Sequence, residues 1–285
     1  MPHTALTQYW NYLDGTAKAI GLVTGGEMGW NPNLQERLGI AGQSALAGGS
    51  MSAAGNVNVL VQNKAFFTTA GNVLRASATN PVINPFTIEG GGLASILDDG
   101  SDFCHTGAKV ASCRFSSAIN GALAAAIAWI GTGYTEGAGN NAANATNLTY
   151  EWFEGVVTVD GATMLVQSMD IEVITGVQPY YSHDVKASQK RFPDGLTIGH
   201  QYVNLNCDVI TFPGSTRAVD WVLADAVDRA ISASFAYTGS DTMTLALANL
   251  SCSGIGIPFK TDDGAVVYPL SFRARADDTG AITIT

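Results

Sequence analysis

The sequence predicts a mainly β, antiparallel chain built as two similar halves, and three observations predict it. Apolar and polar residues alternate with period two through most segments, Asp-Gly pairs punctuate those segments, and one order of elements occurs twice, about 140 residues apart.

Along the chain, "GNVNVLVQN" sends Val57, Val59 and Val61 to one face, as a half-buried strand requires. "TMTLALANL" does the same with Met243, Leu245 and Leu247, and "PLSFRARAD" sets Leu270, Phe272 and Ala274 against Ser271, Arg273 and Arg275. The C-terminal "GAITIT" repeats the pattern with Ile282 and Ile284. Turns are expected at "VDGAT" (159–163), "PDG" (193–195) and "TDDGA" (261–265), where Asp-Gly supplies the positive φ of tight hairpins. The glycine-rich "GGEMG" (25–29) and "EGGGLAS" (89–95) have no neighbouring Lys or Arg to hold a phosphate and are expected as turns. One segment has the helical period: "PGSTRAVDWVLADAVDRA" opens on Ser215 and Thr216 as caps and repeats Val219, Val222, Leu223 and Ala226 at helical spacing. Its counterpart in the first half is expected within "INPFTIEGGGLASILDDG", where three glycines weaken a helix.

The repeat is one of order, not of identity. A strand, a long loop, a long alternating strand and a Gly turn run from Glu27 to Gly71, and again from Ser168 to Gly214. Ser112-Cys113 and Ser251-Cys252 each open a strand, a hairpin and a closing strand. Between the halves, Thr132 to Glu151 is a Gly/Asn/Ala stretch without apolar period, which reads as a linker. The expected domains are residues 1–139 and 140–285.

The 285 residues carry 13% charged side chains and a formal net charge of -10. So acidic a chain is unsuited to wrapping nucleic acid, whose affinity comes from clustered Lys and Arg. So few charges are low for a monomer's surface, which implies that part of it is covered by partners. The N-terminal residues lack a basic region followed by an apolar one, and the apolar run Ala122–Gly131 is shorter than a membrane helix. A soluble protein made in the cytoplasm is therefore expected.

Residues that could carry chemistry are thinly spread. The histidines His3, His105, His183 and His200 have no metal-ligand spacing, and neither a nucleophile elbow nor a Walker motif occurs. No catalytic residue, cofactor or metal is assigned. The pairs Asp98-Asp99, Asp262-Asp263 and Asp277-Asp278 sit beside glycines, as solvated turn residues do, with calcium binding as the other reading. Cys104, Cys113, Cys207 and Cys252 read as reduced core thiols, or Cys104 and Cys113 as a bridge across a hairpin. Asn144, Asn147 and Asn249 read as ordinary turn and strand residues. Trp10, Trp30, Trp129, Trp152 and Trp221 read as core and interface anchors or as a sugar-binding platform.

The element order of "GVVTVDGATMLVQSMDIEVITGVQPYYSHDVKASQKRFPDGLTIGHQYVNLNCDVITFPG", then a helix, then strands ending in "PLSFRARADDTGAITIT", resembles the major tail tube proteins of long-tailed bacteriophages and related archaeal viruses. The resemblance implies tandem β-sandwich domains, each with a flanking helix, whose inner strands join between subunits into a β-barrel. It implies rings, three chains forming a pseudo-hexamer, stacked into a tube with a negatively charged lumen that conducts DNA during ejection. The expected partners are further copies of the chain, the tape-measure, terminator and tail-tip proteins, and DNA in transit, with no membrane. The expected place is the virion tail, assembled in the host cytoplasm. The resemblance also gives the long loop of the second half a docking role toward neighbouring subunits or rings, carried by Tyr180, Tyr181, His183, Lys186, Lys190, Arg191 and Phe192. The equivalent first-half loop, Leu38 to Ala54, includes Leu38, Ile40, Leu46 and Met51. A non-enzymatic β-sandwich binding module of a virion, carbohydrate-binding or adhesin-like, and a hydrolase with an unfamiliar site are the competing readings.

Overall fold

A computed structural model describes residues 9–14, 16–31, 34–38, 44–48, 50–74, 83–91, 102–137, 148–182, 192–211, 229–237, 241–257, 266–275 and 282–285. The first half runs β1 (Tyr9–Asp14), β2 (Thr16–Ala19), β3 (Leu22–Asn31), β4 (Leu34–Leu38), β5 (Ser44–Gly48), β6 (Ser52–Leu60), α1 (Ala65–Thr68), β7 (Phe86–Gly91), β8 (Asp102–Ala118), β9 (Ala124–Gly131) and β10 (Gly133–Gly137). After a 3-10 turn at Trp152–Glu154 the second half runs β11 (Gly155–Val159), β12 (Ala162–Ile174), β13 (Val177–Tyr180), β14 (Gly195–Ile198), β15 (Tyr202–Thr211), β16 (Arg229–Tyr237), β17 (Asp241–Ile255), β18 (Tyr268–Arg275) and β19 (Ile282–Ile284). Every strand pairing is antiparallel.

In the second half β11, β16, β17, β18, β15 and β12 pair in a closed circuit. The first half follows the same circuit through β1, β7, β8, β9, β6 and β3, with β2 on β1 and only Ile20 and Gly21 between β2 and β3. The long strands β8 and β17 each serve two sheets. They bend where Gly107 (φ 58°) and Asn249 (φ 56°) are left-handed, and both carry register shifts, the usual device for turning a strand from one sheet to another.

Alternation places the core where the sequence puts it. Val57, Val59, Val61, Met243, Leu245, Leu247, Leu270, Phe272, Ala274 and Ile284 are all buried in one contiguous cluster. The run from Ala122, which is apolar on both faces, forms β9, with Ala125, Ile127 and Trp129 inward. The one-turn α1 closes the first core. Phe66 and Phe67 meet edge-to-face at 5.5 Å, Phe66 meets Phe86 at 5.7 Å, and Phe67 meets Phe115 at 5.2 Å.

Several local expectations change. "GGEMG" is not a turn but lies inside β3, since a strand at a sheet margin tolerates glycine. Among the described residues of the first half the helix is α1, after β6. Of the stretches expected as a helix and as the turn "EGGGLAS", Phe86–Gly91 is strand β7, because Phe86 and Ile88 alternate inward on β8, and residues 92–100 lie outside the described residues. The stretch taken as a linker begins as β10, paired to β8. "VDGAT" turns as expected, with Asp160 (φ 48°) and Gly161 (φ 80°), but Gly195 of "PDG" is the first residue of β14, in the extended region. Cys104 and Cys113 lie on the single strand β8, nine residues apart, and all four cysteines are free, so no hairpin bridge joins them. The helix expected from Ser215, the turn at 261–265 and the three Asp pairs lie outside the described residues.

His105 is wholly buried, and its Nδ1 accepts a hydrogen bond from Trp129 Nε1 at 3.1 Å. Its Nε2 has no partner among the described residues. Burial lowers its pKa to about 4, so the folded chain keeps it neutral while the unfolded chain takes up a proton below about 6.5. The stability this neutrality supports is whole above pH 6.5 and is lost as pH falls toward 4, by about 2 kcal/mol between pH 7.5 and 5. His105→Gln, which keeps an acceptor but does not titrate, should flatten the fall in unfolding midpoint over that range; urea titrations at the two pH values measure it.

Candidate functional site

Eight strands form one continuous sheet in the order β3, β6, β9, β8, β12, β15, β18, β17. Its middle is the junction of the two halves. There β8 pairs with β12 from Ser112↔Ile174 to Ser168↔Ala118, so the halves share backbone hydrogen bonds as well as a covalent connection. One face packs on the core through Cys113, Phe115, Ile171, Val173, Leu205 and Phe272. The other is polar, and cross-strand hydrogen bonds tie it together.

On that polar face three carboxylates accept from neutral donors directly across the ladder. Asn56 Nδ2 donates to Glu27 at 3.1 Å, Asn204 Nδ2 to Glu172 at 3.2 Å, and Ser168 Oγ to Asp208 at 2.6 Å. The fourth, Asp170, accepts from Arg114 Nε at 2.7 and 2.8 Å and from its Nη2, a clamp across the junction that raises the arginine pKa through hydrogen bonding and charge. Arg273 lies over the Tyr202 ring at 4.8 Å. With Lys109 beside the inward Ala108 and Val110, the described part of the face carries four carboxylates and three cations among Asn, Ser and Ala side chains and a few larger ones, such as Leu60, Ile130, Ile174 and Tyr202. Such a face cannot grip a phosphate backbone, which needs clustered cations.

Two hairpin arms leave one end of this sheet. β4 pairs with β5, directly after β3, and β13 pairs with β14, directly after β12. They frame the places of the two predicted loops: the first is strand at Leu38, Ser44–Gly48 and from Ser52, whereas of the second only Tyr180 is strand and residues 183–191 lie outside the described residues. Leu38 ends β4, Leu46 lies in β5, and Met51 precedes β6; Ile40 lies outside the described residues. Tyr180 ends β13, and its ring covers Gly195, where a Cβ would come within 2.5 Å of the Tyr180 hydroxyl. Tyr181 donates from its hydroxyl to the Met51 carbonyl at 3.0 Å, joining the outer end of the β13–β14 arm to the chain between β5 and β6. Both tyrosines are exposed, at 49% and 42%, and Phe192 is half-buried. His183, Lys186, Lys190 and Arg191 lie outside the described residues.

Among the described residues no group of three or more His, Cys, Asp and Glu is placed to hold a metal. Among the described residues, no helix is long and apolar enough to cross a membrane. Trp129 is buried under the sheet and cannot stack on a sugar. A family profile described as "Phage tail tube protein" matches residues 15–274. The chain belongs to that family. No curated protein matches it. It is thus a structural subunit of a viral tail tube, located in the virion tail, in a family whose members assemble with themselves and with other tail proteins.

Sequence reading missed the polar face because its carboxylates are scattered over β3, β12 and β15, and only strand register brings them side by side. The signal was present in the alternating polar positions of "SMDIEV" and "YVNLNCDV". Gly55 is a second residue that register explains. It faces Trp129 on β9, and a Cβ there would come within 2.4 Å of the indole. Gly55→Ala should destabilise the chain by about 1–3 kcal/mol through overpacking, whereas Arg114→Ala, removing a mostly exposed side chain, should cost no more than about 1 kcal/mol. Urea midpoints of the two variants test that order.

Proposed function

We propose that the chain forms rings of three copies, each copy supplying two tube units, and that stacked rings enclose a lumen through which DNA leaves the virion. The observation that carries this reading is the eight-stranded sheet, polar on one face and without a paired strand on the outer margins of β3 and of Cys252–Ile255 among the described residues. A tandem duplication accounts for it. The pairings β1–β2, β1–β7, β3–β6, β4–β5, β6–β9, β7–β8, β8–β9 and β8–β10 recur, in order, as β11–β12, β11–β16, β12–β15, β13–β14, β15–β18, β16–β17, β17–β18 and β17–β19.

Size selects the copy number. With strands about 4.8 Å apart, eight strands close a ring roughly 12 Å across, which side chains fill, and sixteen close one of about 25 Å, too narrow for a duplex once side chains are allowed for. Three copies, about 24 strands, give roughly 37 Å at the backbone, wide enough for double-stranded DNA past mostly small polar side chains. A slightly acidic face repels phosphate weakly and lets it pass. The arms then reach the neighbouring ring, with Lys186, Lys190 and Arg191 meeting carboxylates of another chain and Tyr180 and Tyr181 becoming covered. Tape-measure, terminator and tail-tip proteins are the further partners, and assembly takes place in the host cytoplasm.

Negative-stain images of purified chain should show rings or tubes with a central hole; a monodisperse monomer at high concentration would overturn the reading. Reversing the charges of Lys190 and Arg191 should lower tube yield while leaving the unfolding midpoint unchanged. Glu172→Lys with Asp208→Lys should make assembled tubes retain an oligonucleotide at low salt and release it as salt rises.

A further inference from the structure

We propose that neighbouring copies join head to tail by antiparallel pairing of the C-terminal half of β17 with β3 of the next copy, Cys252 opposite Met28, in the register of the junction inside each chain. This rests on the ring reading above and specifies the surface that would close the ring.

The template is the pairing of β8 with β12. Two rows of directly opposed residues cross the two halves of the sheet in parallel: Glu27, Asn56, Ala128 and Ser112 in the first, and Glu172, Asn204, Arg273 and Ser251 in the second. The correspondence holds across four strands in each half. It makes Met28 the counterpart of Val173, Gly29 that of Ile174, and Cys252 that of Cys113. Inside the chain Cys113 stands opposite Val173 and Ser112 opposite Ile174. Carried to the two margins, the same register sets Cys252 against Met28 of the next copy.

Burial agrees with the transfer. Cys113 and Val173 are wholly buried, whereas Cys252 and Met28 are only partly buried and pack on the core from one side. They lack the cover that the internal junction gives their counterparts. Direction agrees as well. Eight strands alternating in direction leave the two outermost antiparallel, so the pattern continues from copy to copy without a parallel pair. The margins are also small in side chain, with Gly25, Gly26 and Gly29 on one and Ser253 and Gly254 on the other, and a Cβ at Gly29 would meet nothing within 4 Å. Gly25 stands where Asp170 clamps Arg114, so the joint between chains relies on backbone pairing and burial without that ion pair. Such a contact uses two different surfaces, and a heterologous contact closes into a ring when its rotation allows.

Directly opposed residues of antiparallel strands lie about 4.5–5.5 Å apart at Cα, within disulfide reach. Met28→Cys, with native Cys252, should therefore yield covalent dimers and trimers under mild oxidation on a non-reducing gel. The yield should be about tenfold above that of Glu27→Cys, whose thiol leaves from the opposite face. Adding Cys252→Ser should abolish the product. In unsubstituted protein, hydrogen exchange should show amides of 25–29 and 252–255 gaining protection on going from monomer to tube, a readout that does not depend on the variants folding. Rings in the micrographs with no cross-link above the Glu27→Cys control, or with those amides still exchanging freely, would overturn this register and leave the ring reading standing. Absence of rings altogether would overturn both.

Discussion

Everything in this molecule depends on backbone hydrogen bonding across the β8–β12 junction. A β-sheet ends wherever a strand has no neighbour, and each ending leaves a row of amide and carbonyl groups for water or another chain to satisfy. Here the first half's ending is the second half's beginning. Cys113, Phe115, Ile171 and Val173 lie under that junction with essentially no exposure, so two closed circuits of strands behave as one surface. In the Arg114–Asp170 pair above it the arginine side chain is 59% exposed, so the pair aligns the joint more than it strengthens it.

The two faces of the sheet answer to different demands. The inner one is packed with apolar side chains; Gly55 makes room for Trp129, which donates to His105, and burial keeps that histidine neutral. The polar one is kept orderly by short cross-strand bonds from Asn and Ser to carboxylates. Those bonds hold acidic side chains flat along the ladder and use neutral donors to do so. The lumen proposed above calls for this combination: an ordered face without a cationic cluster.

Much of the fold was legible before any coordinates. Period-two patterning identifies β6, β17 and β18 and the residues they bury, because a half-buried strand leaves no other choice of face. The order of elements around Ser112-Cys113 and Ser251-Cys252 was visible in the sequence, and similar strand pairings occur in the two halves. Glycine misled three times. In "GGEMG", in Gly90 and Gly91 and in Gly195 it marks strand positions, the first at a sheet margin and the last under the Tyr180 ring, where a side chain would collide. The pattern gave no sign of α1 because it is a single turn, too short to show a helical period, and β7 carries glycines that weaken a strand signal.

By itself the sequence determined what is local: strand period, inward residues, the Asp160-Gly161 turn, the shortage of charge and the twofold order, all of which follow from alternation and composition. Tertiary structure alone decided which strands are neighbours. Pairing between residues 29 or more positions apart is selected by the packing of whole sheets, and no local pattern encodes it. For that reason the row of Glu27 and Asn56, the partner of Asp170, the contact of Tyr181 with Met51, and the two open margins emerge only when the chain is folded.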